Sequence, residues 1–186
     1  MSQTQQNLLR AFAGESQARN KYTVFAAEAR KEGWEWIARV FEETADNERV
    51  HAKELWELIK KPVKASAVTL EIEPLAKTSD NLKMAAEGEK YEWTIMYPDF
   101  EKMAKDEGEK EPERLFSELK EVEELHEERY LIIARHLDAK TLYDQEAELE
   151  WKCLNCGYIH RGKTPPKTCP LCKKPFTWYM PLGLVK

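Results

Sequence analysis

The sequence predicts an all-α four-helix bundle with one long crossover connection, followed by a small domain with a metal site made of four cysteines. Three observations predict it. Residues 4 to about 140 are rich in Glu, Lys, Ala and Leu, with helical periodicity. The expected helices are joined by connections that are short, long and short, as in two antiparallel hairpins linked by a crossover. All four cysteines lie beyond residue 150. We therefore expect two domains, residues 1–148 and residues 149–186.

Start and stop signals divide the first part into four helices, at about residues 4–31, 34–60, 80–105 and 112–137. Gly33 and Pro62 mark the ends of the first two helices. Glycine readily adopts positive φ and proline lacks a backbone N–H, so both residues end a helix easily. Ser79 or Asp80 is the expected N-cap of the third helix. Pro112 fits the first turn of the fourth helix.

Composition excludes several classes of protein. Charged residues make up 34% and hydrophobic residues 42% of the 186 residues, which is typical of a soluble globular protein. The net charge of −5 argues against a nucleic-acid partner. No apolar run is as long as a membrane span, and the start MSQTQQNLLRAF lacks the features of a signal peptide. We therefore expect a cytoplasmic protein that binds neither nucleic acid nor membranes.

Each expected helix carries at least one glutamate in the middle of its apolar stripe. Glu48 and His51 are three residues apart, and Glu123 and His126 repeat this spacing. Residues three apart share one face of a helix, which here is the core-facing one. A single Glu-x-x-His pair is weak evidence, since a solvated face or a hydrogen-bonded core histidine also explains it. The other acids expected in the core are Glu15, Glu89 and Glu92.

Five carboxylates cannot stay ionised in an apolar core unaided, because desolvation and mutual repulsion raise their pKa values. Bound cations remove this conflict. Carboxylate oxygens with one or two imidazoles suit iron or manganese, and carboxylates can bridge two ions. One Glu from each of two helices plus Glu-x-x-His from each of the other two is the ligand pattern of di-iron carboxylate bundles. Glu92 exceeds this minimum set, and the alternative is that it faces solvent.

The cysteines form two Cys-x-x-Cys knuckles, Cys153 with Cys156 and Cys169 with Cys172, with twelve residues between them. Two facing knuckles make a tetrahedral tetrathiolate site. Iron and zinc both fit that geometry, so a structural zinc ribbon stays open as an alternative. Gly157 after the first knuckle favours a tight turn whose amides point at sulfur.

Taken together, AFAGESQARNKY, ADNERVHAKEL, GEKYEWTIMYPDF, EELHEERY and the two cysteine knuckles resemble the rubrerythrin family. The resemblance covers nearly the whole chain. It implies a ferritin-like four-helix bundle followed by a rubredoxin-like domain, and a non-haem di-iron peroxidase that reduces hydrogen peroxide to water. One position departs from the pattern. Lys173 follows the second knuckle, where rubredoxin-like domains usually have Gly, so either Lys173 adopts a left-handed backbone or the turn changes.

The resemblance also implies roles for the core acids. Glu48 and Glu123 would bridge two irons. Glu15 would be a terminal ligand of one iron, which also takes Glu92 or His51. Since a carboxylate favours ferric iron and an imidazole is better tolerated by ferrous iron, we expect these two ligands to exchange with redox state.

The second iron would take Glu89 and His126 as its further ligands. Tyr22 and Tyr97 match tyrosines that hydrogen-bond ligand carboxylates and hold their geometry. The four cysteines would hold one iron that relays electrons, with zinc as a substitute. The residues we expect to be catalytic are Glu92, His51, Tyr22 and Tyr97.

The implied partners are hydrogen peroxide and an electron donor such as rubredoxin or an NAD(P)H-dependent reductase. A head-to-tail homodimer or higher oligomer is expected. Two other classes of protein compete with this interpretation. A ferroxidase or iron-storage protein has no use for an electron-relay domain, and a non-enzymatic scaffold with a zinc ribbon does not explain the inward carboxylates.

Overall fold

The computed structural model describes residues 2–64 and 72–185, so part of the expected crossover, residues 65–71, lies outside the described residues. Within these ranges the α-helices are α1 Gln3–Lys31, α2 Glu35–Glu57, α3 Thr78–Tyr91, α4 Tyr97–Asp106 and α5 Lys110–Asp138. A π-helical turn, Glu92–Met96, joins α3 to α4. The strands are β1 Leu149–Cys153, β2 Ile159–Gly162 and β3 Tyr179–Leu182, and Phe176–Trp178 is a 3₁₀ turn.

The helices form the expected bundle, in which α3, the π turn and α4 together make one of four long rods. α1 packs along α2, and α3 and α4 pack along α5. Gly33 has φ +92°, which allows the sharp turn between α1 and α2. In the part of the chain that the structure describes, no helix combines the length and apolar content needed to cross a membrane.

Two apolar clusters fill the bundle, one on each side of the glutamates. One cluster contains the large aromatic residues Tyr22, Phe25, Phe41 and Tyr130. The other includes Leu8, Leu55, Tyr97, Phe116 and Leu119. The glutamates follow one cluster and precede the other along α1, α2 and α5. The acids are therefore buried between two layers of hydrocarbon, where water cannot stabilise their charge.

The third rod differs from the single regular helix expected over residues 80–105. A regular period of 3.6 would place Met96 on the buried face. The π turn inserts extra backbone just before Pro98, which has no N–H to continue the helical ladder. As a result Tyr97 is fully buried and Met96 is only partly buried.

The expected N-cap of this rod is wrong. The helix begins at Thr78, with Lys77 at the cap position and no side-chain cap of its own. Instead, the backbone N–H of Thr78 donates to Oε1 of Glu32, 3.1 Å away at the end of α1. Ser79 uses its hydroxyl for Asp138 at the end of α5. A distant carboxylate thus satisfies a free amide that a local side chain was expected to satisfy.

The C-terminal domain is an antiparallel sheet in the order β2-β1-β3. Trp151 and Tyr179 are fully buried in it, together with two of the cysteines. The ring of Tyr143 stacks on Trp34 of the bundle at 6.2 Å and on Trp151 at 6.0 Å. The guanidinium of Arg39 lies 5.4 Å over the ring of Trp178. The domain therefore contacts the end of the bundle where α1 turns into α2.

Candidate metal centres

The buried acids of four helices converge near the middle of the bundle, in what we call the carboxylate–histidine centre. It consists of two overlapping groups of four side chains, and in each group one possible ligand atom of every member lies within 4.8 Å of the others. One group is Glu15, Glu48, His51 and Glu123, and the other is Glu48, Glu89, Glu123 and His126. Glu48 and Glu123 belong to both groups. The bridging role that the family resemblance implies for them stays a prediction.

Each of these two shared carboxylates points one oxygen at each histidine. Nδ1 of His51 lies 2.7 Å from Oε2 of Glu48 and 3.1 Å from Oε1 of Glu123. Nδ1 of His126 lies 2.7 Å from Oε2 of Glu123 and 3.4 Å from Oε1 of Glu48. The two Glu-x-x-His pairs are therefore related by an approximate twofold axis. The arrangement offers two neighbouring positions that share both carboxylates.

Eight buried ligand atoms of this centre make no hydrogen bond of regular geometry within the described residues, although several of them lie close to one another. They are both carboxylate oxygens of Glu48 and of Glu123, Oε2 of Glu15 and of Glu89, and Nδ1 of His51 and of His126. Buried polar atoms are normally paired, and leaving so many unpaired is costly. The atoms converge as ligands do around cations, so the residues fit a pair of metal ions with oxygen and imidazole ligands.

Burial sets the protonation of the acids when no metal is bound. It raises the pKa of Glu48 well above its usual value, and the nearby charges of Glu123 and Glu15 add to this effect. Burial also raises the pKa of Glu89 and of Glu92. Glu123 differs, because its contacts with the two histidines outweigh burial and lower its pKa. Binding of cations would displace the protons from the carboxyl groups whose pKa values are raised.

Two tyrosines hold the carboxylates of Glu89 and Glu15. Tyr22 donates its hydroxyl hydrogen to Oε1 of Glu89 at 2.5 Å, and Tyr97 donates to Oε1 of Glu15. In both glutamates this leaves Oε2 facing the centre. Burial raises the pKa of both tyrosines, so both stay protonated and act as donors. The hydrogen bonds implied by the family resemblance are therefore present, and their importance for catalysis stays a prediction.

Glu92 is the first residue of the π turn and belongs to neither group of four among the described residues. Its Oε1 lies 3.7 Å from the position that a Cβ atom would take at Gly14, next to Glu15 on α1. The side chain is thus placed beside the centre, where burial and the charge of Glu15 raise its pKa. His51, and not Glu92, belongs to the group that contains Glu15. An exchange of these two residues as ligands stays a prediction.

Asn47 is a residue of this centre that the sequence does not predict. Its side-chain Nδ2 lies 3.2 Å from Nε2 of His126, on the opposite side of the ring from the carboxylates. The signal available in the sequence was a polar residue directly before Glu48, at a half-buried position of α2. That signal does not point to a partner on α5, which is 79 residues away.

The four cysteine sulfurs also lie within 4.8 Å of one another. Sγ of Cys153 is 3.6 Å from Sγ of Cys172, and Sγ of Cys156 is 3.7 Å from Sγ of Cys169. A tetrahedral metal with metal–sulfur bonds of about 2.3 Å needs sulfur–sulfur edges of about 3.8 Å. The cysteines therefore fit a tetrathiolate site, and this geometry suits iron and zinc alike.

The two knuckles end in equivalent left-handed turns. Gly157 has φ +76° and donates its N–H to the carbonyl of Cys153, while Lys173 has φ +64° and donates to that of Cys169. Lys173 therefore adopts the left-handed backbone and the turn is preserved. The backbone N–H of Lys174 lowers the pKa of the Cys172 thiol. Backbone amides thus stabilise thiolate charge, as expected for a metal site.

Comparison with known protein families agrees with both centres. The profile described as Rubrerythrin matches residues 6–134, and the profile described as Rubrerythrin, rubredoxin-like domain matches residues 151–177. The chain belongs to the rubrerythrin family. This confirms the resemblance and the expected fold class, a ferritin-like bundle followed by a rubredoxin-like domain.

Rubrerythrins of known sequence match the chain over nearly its full length. A rubrerythrin from Porphyromonas gingivalis is 41% identical over 97% of this chain and 90% of its own. One from Nitratidesulfovibrio vulgaris is 40% identical over 98% and 96%. A solved structure of nigerythrin in a mixed-valence state is 34% identical, with a TM-score of 0.67 over 97% of this chain and 87% of that one. Family membership and the two ligand sets together support iron binding and an oxidoreductase.

Proposed function

We propose that the protein is a non-haem di-iron peroxidase that reduces hydrogen peroxide to water in defence against oxidative stress. The observation that supports this best is the presence in one chain of a buried carboxylate–histidine centre and a tetrathiolate site. The first suits two-electron chemistry on a small oxidant, and the second suits one-electron relay. Iron storage would need only the first, and a zinc-ribbon scaffold only the second.

The chain's own residues define what the centre does. Glu48 and Glu123 would bridge the two metal positions, Glu15 and His51 would complete one, and Glu89 and His126 the other. Conversion of one hydrogen peroxide into two waters takes two electrons and two protons, and iron bound here would supply the electrons. The hydrocarbon layers on both sides exclude bulk water from the centre.

His51 and Glu92 are the pair that we propose to alternate as ligands. His51 directs Nδ1 at three carboxylates, with Oε2 of Glu15 at 3.7 Å as the most distant. Glu92 is the first residue of the π turn, and its side chain lies near Gly14 and Glu15 of α1. The backbone of the π turn is less regular than that of the flanking helices. An imidazole suits the reduced state and a carboxylate the oxidised state. This exchange makes Glu92 and His51 the proposed catalytic residues, with Tyr22 and Tyr97 holding their neighbours in place.

The rubredoxin-like domain carries the charge that an acidic electron-transfer partner would recognise. Residues 149–186 contain seven Lys and Arg against one Glu, a net charge of +6, and the total of −5 leaves −11 for residues 1–148. Leu171, inside the second knuckle, is 66% exposed. Lys173 and Lys174 follow Leu171 closely in the sequence. Basic charge near an exposed apolar residue favours rapid docking of an acidic donor. We propose rubredoxin or an NAD(P)H-dependent reductase as this donor.

Electron transfer to the carboxylate–histidine centre is proposed to occur between subunits. The domain contacts the end of the bundle near Trp34 and Arg39. Glu48 lies about 13 residues from that end, or roughly 20 Å of helix. Because tunnelling falls off exponentially with distance, a head-to-tail homodimer would provide a shorter path. The acidic bundle and the basic domain have the charges that such a contact needs.

The free thiols support a cytoplasmic location. The four cysteines are unpaired and arranged for metal rather than for disulfides, as is usual for proteins in a reducing compartment. We propose that residues 1–148 perform the peroxide chemistry and that residues 149–186 relay the electrons.

Stopped-flow reoxidation of the reduced, iron-loaded protein tests the proposed reaction. Equimolar hydrogen peroxide and oxygen are compared, and the metal-free protein is the control. We expect peroxide to reoxidise the centre much faster than oxygen does. Faster reoxidation by oxygen would show that the protein is an oxidase. A visible spectrum tests the relay separately, because a red colour bleached by reductant indicates iron at the cysteines and a colourless site indicates zinc.

A further inference from the structure

The two histidines of the carboxylate–histidine centre are held differently. His126 is engaged at both ring nitrogens, since Nδ1 faces Glu123 and Glu48 and Nε2 faces the amide of Asn47 at 3.2 Å. The side chain of His126 is 5% exposed and that of His51 is 11% exposed. Within the described residues, Nδ1 of His51 has ion-pair contacts with carboxylates, and the His51 ring stacks on that of His126.

The residues that directly precede the two Glu-x-x-His pairs explain this difference. Asn47 directly precedes the glutamate of the first Glu-x-x-His pair, and the corresponding position in the second pair is Val122. Valine has no hydrogen-bonding group in its side chain. The approximate twofold symmetry of the two Glu-x-x-His pairs therefore does not extend to the preceding residue. Of the two histidines, His126 has a side-chain amide next to its Nε2 within the described residues.

The position of the proton on an imidazole ring determines whether the partner of each ring nitrogen must donate or accept a hydrogen bond. In the neutral ring one nitrogen donates and the other accepts. Nδ2 of Asn47 and Nε2 of His126 lie 3.2 Å apart. If Nδ1 of a neutral His126 carries the proton, Nε2 is the acceptor and the amide of Asn47 is its donor. When a metal ion takes Nδ1, the proton lies on Nε2, which must then donate. An asparagine can meet both requirements, because rotation of its amide replaces the Nδ2 donor by the Oδ1 acceptor.

We propose that Asn47 is the positioning residue of His126, and that its amide turns over when a metal ion binds Nδ1. In the metal-free chain it donates to Nε2, and in the loaded chain it accepts from Nε2–H and fixes the ring as a ligand. His51 lacks this support, which leaves it the ligand able to leave. The proposal rests on metal binding at the centre and is independent of peroxidase activity.

Zinc titration of the full-length, metal-free protein tests the energetic part, after the cysteine site has been filled with zinc. Asn47→Leu keeps the size of the side chain and removes both hydrogen-bonding groups, while Asn47→Asp keeps an acceptor. We expect Asn47→Leu to weaken binding of one of the two ions about 10- to 100-fold, the usual effect of losing such a partner. We expect Asn47→Asp to bind within a few-fold of the wild type. Asn20→Leu, at an exposed position of α1, is the matched control.

Nitrogen-15 NMR of the His126 ring in the wild type tests the structural part without any variant. We expect Nδ1 to carry the proton in the metal-free protein and Nε2 to carry it in the zinc form. Deprotonated Nε2 in the zinc form overturns the proposal, whether or not the variants fold. Equal zinc affinity of Asn47→Leu and Asn20→Leu also overturns it, and so does an equal loss in Asn47→Leu and Asn47→Asp. If the wild type binds no zinc at this centre, the metal assignment fails as well.

Discussion

The hydroxyl of Tyr97 donates a hydrogen bond to Oε1 of Glu15, which lies 82 residues earlier in the chain. Both side chains are fully buried. The contact exists because the π turn rotates Tyr97 onto the core face of its rod, where regular helical spacing would have placed Met96. A backbone irregularity therefore decides how one terminal carboxylate is held.

Replacing Tyr97 by Phe should destabilise the metal-free protein by about 1–3 kcal/mol, because Oε1 of Glu15 loses its donor while buried. Urea unfolding measures the difference. Tyr91→Phe, at an exposed position on the preceding turn, is the control and should change the free energy of unfolding by less than about 0.5 kcal/mol. Equal stability of the two variants would show that the hydrogen bond contributes nothing.

The metal-free protein should lose stability as the pH rises from 5 to 8. Glu48, Glu89 and Glu92 have raised pKa values, so the folded protein keeps protons that the unfolded chain loses above about pH 4.5. The unfolded state then binds fewer protons, and the free energy of unfolding falls with pH. Glu123 has a lowered pKa, so it is ionised in both the folded and the unfolded state over this range and adds little to the pH dependence.

Urea unfolding at both pH values measures this dependence. Glu89→Gln should reduce it, and Glu87→Gln, at an exposed position of the same helix, should leave it unchanged. Iron-loaded protein should not show it, because metal ligands are already deprotonated. A metal-free protein that is more stable at pH 8 than at pH 5 contradicts the expected sign.

Crystals of the oxidised and reduced iron-loaded protein should show different ligands at the metal position near Glu15. We expect Glu92 to be bound in the oxidised form and His51 in the reduced form. His126 should be bound in both forms and serves as the internal control, since Asn47 supports its ring. Identical coordination in the two states would count against the exchange.

A mixed dimer tests electron transfer between subunits. One subunit carries Cys153→Ser and keeps its carboxylate–histidine centre, and the other carries Glu48→Ala and keeps its relay. Each variant homodimer should be nearly inactive as a donor-driven peroxidase. Transfer between subunits predicts that the purified heterodimer recovers about half of the wild-type activity, since one of its two pairs is intact. An inactive heterodimer with its intact metal sites loaded would place the transfer within a subunit.

Lys173→Gly should stabilise the rubredoxin-like domain by about 1 kcal/mol. Lys173 has φ +64°, a conformation that costs a residue with a side chain about 1–2 kcal/mol and costs glycine little. The hydrogen bond from its Nζ to the carbonyl of Pro170 is exposed and offsets part of this gain. Chelator-induced metal release from the full-length protein measures the effect. Lys167→Gly, where φ is not positive, should release metal faster than the wild type.

Features that depend on residues close together in the chain can be predicted from the sequence. The spacing of Glu48 and His51 places both on one face of one helix turn, and each Cys-x-x-Cys knuckle closes a turn of four residues. Helical periodicity and connection lengths then predict the bundle, because any other arrangement would expose the apolar stripes. That Glu15, Glu89 and the two Glu-x-x-His pairs lie at similar depth also follows from counting residues along the helices.

The side chains that support these residues from other helices become visible in the folded protein alone. Asn47 meets His126 across 79 residues, Glu32 caps Thr78 across 46, and each partner is on a different helix. The rotation of one helix about its own axis determines such contacts, and the π turn shows that this rotation can change within five residues. Sequence periodicity averages over whole helices, so it predicts which face is buried but not which individual atoms meet there.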